Sequence, residues 1–261
     1  MLVSFLSLLD IYNIEKSIKN NEKAEQISIK AMNRLVDAEK RFEDTQYDAL
    51  KATEKIVNVK KGAFSIVNKF VDVYSKISQI EFKDDIEKQI TELRITQSIE
   101  QIKLQFPQTK ELTTKQTFFS CLMGKSFFAN DTKQSEVNIK IAEASRKVAR
   151  AKESQLDVLI TAYQGIKSKC DLFSDMLQKM NVIFMKSILS TEEIIEKNGY
   201  DGKNYSKEDT KSIFLCVNIA GVITELIRTP IFDENGELML SLDYVIETNS
   251  EKLNEFTKGE C

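Results

Sequence analysis

The chain has no histidine and no tryptophan, only two prolines and eight glycines, and four cysteines in 261 residues. Each shortage removes a class of protein. Without histidine there is no Ser-His-Asp or Cys-His nucleophile and no di-iron site built on Glu-x-x-His. The cysteines, Cys121, Cys170, Cys216 and Cys261, stand far apart with no CxxC pair. That removes the usual zinc sets and predicts no metal and no cofactor, with free thiols in a reducing, cytoplasmic compartment. So few breakers argue against a turn-rich sandwich or barrel. A basic stripe is lacking too: the net charge is -3, and residues 198–261 hold 12 acidic side chains against 6 basic ones. Nothing there neutralises a row of phosphates, so no nucleic-acid partner is expected. Lys60-Lys61 and Arg146-Lys147 read as solvated helix faces.

The apolar opening, Met1 to Leu9, has no basic start and no small-residue cleavage site, and it meets Asp10 far short of a membrane span. It reads as the first turns of a helix rather than a signal peptide; a short interfacial anchor is the other reading.

What the sequence does have is helical periodicity. Alternate steps of four and three from Ala31 give Ala31, Leu35, Ala38, Phe42, Thr45, Ala49, Ala52, Ile56, Val59, Ala63, Ile66, Phe70, Val73 and Ile77, with Thr45 as the one polar member. Such a seam presents one helix face to a partner helix. With no proline and only Gly62 between Ser7 and Ser78, a single helix of about 65 to 70 residues is predicted, and nothing that long is stable in water with its seam uncovered. A second seam runs through Ile141, Ala144, Val148, Ala151, Gln155, Leu159, Ala162, Ile166, Cys170, Phe173, Leu177, Met180, Phe184, Ile188 and Ile195, and Asn198-Gly199 closes its helix.

The bulk of the two seams is complementary end to end if the helices run antiparallel. Ile66, Phe70 and Val73 then face the small residues near Ala144, while the alanines of the first helix face Phe173 to Phe184. The predicted fold is therefore all-α: a long antiparallel coiled-coil hairpin with arms at 1–79 and 134–198, a small helical head or tip at 80–133, and a C-terminal base at 199–261. Asp placed at Ile66 or Phe173 is expected to bury an unpaired charge and cost several kcal/mol. Between the arms, Asp84 to Phe106 reads as a helix stopped by Pro107. In the base, Ser206 and Asp209 form a capping-box pattern, Lys207 to Arg228 is an apolar helix, Ile231 to Leu238 a tight turn between short extended arms, and Leu240 to Phe256 an amphipathic segment.

Candidate chemistry is sparse. Gly124-Lys125-Ser126 matches the tail of a phosphate-binding loop, but Phe119 stands where its first glycine belongs. Asp233, Asn235 and Gly236 match part of a calcium loop whose remaining ligands are missing. Asp84-Asp85-x-Glu87 and Glu192-Glu193 are carboxylate clusters without companion bases; a hydrolase would need folding to bring such groups together, and no enzyme is expected. The candidate contact residues are Phe118, Phe119, Leu122, Met123, Phe127 and Phe128, an apolar cluster that a hairpin would carry at its tip for a protein partner or a membrane surface; packing within the head is the bland alternative. The seams also admit pairing between two copies of the chain.

The two arms, the capped helix and the stretch Thr229-Pro230-Ile231-Phe232-Asp233-Glu234-Asn235-Gly236-Glu237-Leu238 together resemble a loosely defined group of uncharacterised bacterial proteins. In these, two charged coiled-coil arms flank a Gly/Ala-rich apolar centre, and some carry apolipoprotein-like labels. Here the short Phe-rich segment stands in place of that centre. The resemblance implies a helical, non-enzymatic protein without an established activity. Two functions follow as expectations: a helical scaffold that holds tip and base surfaces apart, or a membrane-active protein similar in outline to α-helical pore-forming toxins, with the Phe-rich tip in lipid.

Overall fold

The computed structural model describes residues 2–82, 132–233 and 236–259, with side chains from Tyr12 and from Ser135 onward in the two long helices. The described residues are all-α. Helix α1 spans Leu2–Ile77 and α2 spans Thr132–Asn198. A short 3₁₀ turn, Gly202–Asn204, leads to α3, Lys207–Arg228, and α4 is Leu242–Lys258. Their ends follow local chemistry. Gly199 takes a positive φ and its N–H bonds the Ile195 carbonyl, which ends α2 as a left-handed glycine does. At α3 the Ser206 hydroxyl accepts from Asp209 N at 3.1 Å and Ser206 N donates to the Asp209 carboxylate at 3.0 Å, a complete capping box. The Ser206 backbone bond, above all, holds the Asp209 carboxyl below the ordinary carboxylate range. Phe232 and Leu238 form one antiparallel bridge, and Gly236 takes a positive φ.

The two long helices run parallel, which corrects the antiparallel expectation. Their contacts join residues whose numbers rise together, from Lys16 with Glu136 and Asn21 with Asn138 to Lys55 with Asp175, at separations of 115 to 120. An antiparallel pair would instead keep the sum of the numbers constant. Matched bulk and matched charge explain the direction. Small residues share layers at Ala24 with Ala142 and Ala31 with Ala149, all four buried and each pair in the same register as the hydrogen bonds. Large meets large where the Phe70 and Phe184 rings lie 5.4 Å apart. Along one edge each cation is on α1 and each carboxylate on α2: Lys16–Glu136, Arg41–Asp157, Lys55–Asp171 and Lys76–Glu192. Exposed pairs of this kind stabilise by about 0–1 kcal/mol each; their value here is in selecting direction and register.

The chain divides into two compact units. In the first, α1 up to Asp48 pairs with α2 up to Gln164. Leu35, Ala38 and Leu156 form its core with Phe42 alongside, and Phe42 meets Tyr163 edge-on at 5.7 Å. A second correction belongs here. The face of α2 turned to α1 is Ala142, Ala149, Leu156 and Ile160, one residue on from most of the expected seam. Ile141, Val148 and Leu159 are exposed instead.

In the second unit, α1 from Ala49 and α2 from Gly165 are joined by α3 and α4 around one core. Here Cys170, Phe173, Leu177, Met180 and Phe184 are buried as the periodicity predicts. Phe173 is completely buried, whereas Ile66 is only partly so, since Val67 takes the inward place. The nearly all-apolar α3 is buried at Ile213, Val217, Ala220 and Ile223, and its one buried hydroxyl, Thr224, bonds the Ala220 carbonyl at 2.8 Å. Burying an Ile or Val side chain in this way contributes about 1.5–3 kcal/mol. Lys169 of α2 pairs with Asp243 at the start of α4.

Candidate interaction surface

The sequence singled out Phe118, Phe119, Leu122, Met123, Phe127 and Phe128; all six lie outside the described residues, as do Gly124-Lys125-Ser126 and Asp84, Asp85 and Glu87. The other candidates are structural. Asp233 accepts from Gly236 N and, through its carboxylate, from Glu237 N at 2.8 Å, which is turn chemistry. Glu192 pairs with Lys76 at 3.7 Å. No group of three or more Cys, Asp or Glu among the described residues is arranged to hold a metal ion. An open groove in the second unit is lined by Lys51, Glu54, Lys55, Asn58, Gly62 and Gln178, among others; Glu54 is its one carboxylate, so it brings no acid/base pair together. Cys170 and Cys216 are free and buried, and burial pushes both thiols up to about 11, far from a reactive thiolate.

Lys60 is the notable charged group of the interior. Its ammonium donates to the Thr229 carbonyl at 2.5 Å and sits 5.3 Å from the centre of the Phe173 ring. Burial lowers its pKa to about 8. It ties the last turn of α3 to α1, a structural use of a lysine whose stem lies along apolar surface. The sequence reading of Lys60-Lys61 as a solvated face therefore fails at Lys60, because α3 covers that side.

The surface feature that stands out is in the first unit. Val137, Ile141, Ala144, Val148, Ala151, Gln155, Val158 and Ala162 are spaced alternately by four and three, and all eight are exposed. Ile141 is 43% accessible, Val148 48% and Val158 69%. With Ala142 and Ala149 facing α1, a residue two further on lies about 200° around the helix and faces away. Helix α2 thus carries two apolar stripes offset by a residue: one buried against α1, one open. Six of the open stripe's eight positions, Ile141, Ala144, Val148, Ala151, Gln155 and Ala162, belong to the seam expected from the sequence, which places them against α1; Val137 and Val158 are not in that seam, which runs through Leu159 instead. Alanines at 144, 151 and 162 leave room for another helix axis at close range. On α1, Ile29, Met32 and Val36 are also exposed at helical spacing.

No protein-family model, no curated protein and no solved structure matches the chain.

Proposed function

We propose that the chain is a non-enzymatic helical interaction protein, in which α1 and α2 pair as a parallel coiled coil and α2 offers its open stripe to another helix. The observation that carries this reading is the exposure of all eight stripe positions at a sustained heptad spacing, a pattern that exists in helices because it is buried by other helices. The spacer idea, with a tip held away from a base by an antiparallel hairpin, is not retained, since the pairing is parallel. Buried free thiols fit residence in a reducing compartment.

The double substitution Ile141→Asp with Val148→Asp tests the reading. In dilute solution the variant is expected to keep its helicity and melt within about 2 °C of the parent, as substitutions at exposed sites do. A fall of several degrees would mean that the chain itself covers the stripe, which is then not on offer to anything else.

A second reading has one observation in its favour. Among the described residues α3 is the single helix long and apolar enough to cross a membrane, although more than half of that window is buried. A membrane-active protein would have to release α3 from the core. Flotation with anionic liposomes separates the two readings: the interaction reading expects protein to stay at the bottom of the gradient.

A further inference from the structure

We propose that the partner of the open stripe is a second copy of this chain, docked α2 against α2 in antiparallel sense about a two-fold axis between Ala149 and Arg150. This rests on the interaction-surface reading above and commits it to one occupant. Antiparallel superposition about that point pairs Val137 with Ala162 and Val148 with Ala151, so large meets small in those layers, and it pairs Ile141 with Val158. Ala144 falls opposite Gln155, whose amide reaches solvent past so small a neighbour.

The flanking charges choose the direction. Beside the stripe the cations are Lys140, Lys147 and Lys152. Antiparallel pairing sets them against Thr161, Ser154 and Ser145 of the other copy, all neutral hydroxyl side chains. Parallel pairing would bring Lys147 beside Lys152 of the other copy, twice, a like-charge contact of the sort that decides helix orientation at such positions. Lys152 already leans toward Glu39 of its own chain, at 3.6 Å, which agrees with a stripe edge that carries no carboxylate for it. The arrangement is isologous: each contact occurs twice and the interface closes at two copies.

The test uses the full chain. Sedimentation equilibrium is expected to show a monomer–dimer equilibrium with a Kd on the order of micromolar, weakened at least about tenfold by Ile141→Asp with Val148→Asp. Direction is read by cysteine pairing in a background with Cys121 and Cys261 changed to Ser. Val137→Cys with Ala162→Cys is expected to give a disulfide-linked dimer on mild oxidation, because the two positions are about 37 Å apart along their own helix and cannot bridge within it. Val137→Cys alone is expected to form no disulfide-linked dimer. A chain that is monomeric to about 100 µM overturns the self-association, and an unchanged melting temperature of the Asp variant then leaves the interaction reading standing for a different helix. Ready cross-linking of Val137→Cys alone overturns the antiparallel sense, and a fall in melting temperature sinks both readings together.

Discussion

The side-chain amide of Asn138 donates to that of Asn21 at 3.1 Å, across 117 positions of sequence. One residue earlier on α1, Asn20 reaches Ser135 at 3.4 Å. A buried polar layer in an otherwise apolar seam costs stability and gains register. Together with Arg41–Asp157 further along both helices, these contacts require α1 and α2 to run the same way.

That dependence makes a double-mutant cycle decisive. Asn21→Ala, Asn138→Ala and the pair are expected to show a coupling energy of about 0.5–1.5 kcal/mol in denaturant unfolding, the range of a partly buried hydrogen bond. Additive single effects would mean that the two amides are apart, and with them the parallel register.

Two glycines are expected to respond to the same substitution with opposite signs. At Gly202 an added Cβ would fall 2.1 Å from the Glu81 carbonyl oxygen, where the end of the α1 segment is held by Glu81 N bonding the Tyr200 carbonyl at 3.1 Å. The atoms it would strike are backbone, so Gly202→Ala must push that clamp open, at about 1–3 kcal/mol. Gly62 sits in the interior of α1, and a methyl group added there would have no neighbour within 4 Å. Gly62→Ala is expected to stabilise by about 0.5–1 kcal/mol, since glycine is the weaker helix former. Thermal melting of the two variants checks both, and a shift of the same sign in each would contradict the packing described.

Lys60 predicts a pH dependence whose direction is unusual for a lysine. Its folded-state pKa, about 8, lies below the 10.5 of the free side chain because burial penalises the charge. The unfolded chain therefore binds more protons between those values, and stability rises with pH across that window. The penalty is fully present below about pH 8, where the ammonium is held by the Thr229 carbonyl and the Phe173 ring, and is relieved as pH climbs. The difference in unfolding free energy between the parent and Lys60→Met is expected to shift by roughly 3 kcal/mol in the parent's favour from about pH 7.5 to about pH 10.5, taking about 1.36 kcal/mol per unit. A difference that stays flat would place Lys60 in solvent.

Much of this molecule is decided locally, and those parts are legible in the chain. The scarcity of breakers and the heptad run on α1 specify a long helix, because an α-helix needs little more than residues that tolerate it and a face to bury. Ser206 with Asp209 marks the start of α3, and Gly199 the end of α2, because caps satisfy backbone groups within four residues of themselves. The inward positions Cys170 to Ile195 follow from period alone, since only one apolar stripe is present there. The direction of pairing and the choice between the two stripes of α2 are different in kind. A seam of period 3.5 looks the same read forwards or backwards, so Ala31 gives no sign whether its neighbour is Ala149 or Phe184. Ile141 and Ala142 both sit on helical stripes, and only the bulk and charge of a partner across the interface, with Ala24 in the layer of Ala142 and Arg41 against Asp157, determine which one turns inward. Lys60 makes the same point from the other side: its burial is set by α3, a helix that begins about 150 residues later in the chain and whose approach no local pattern around Lys60 records.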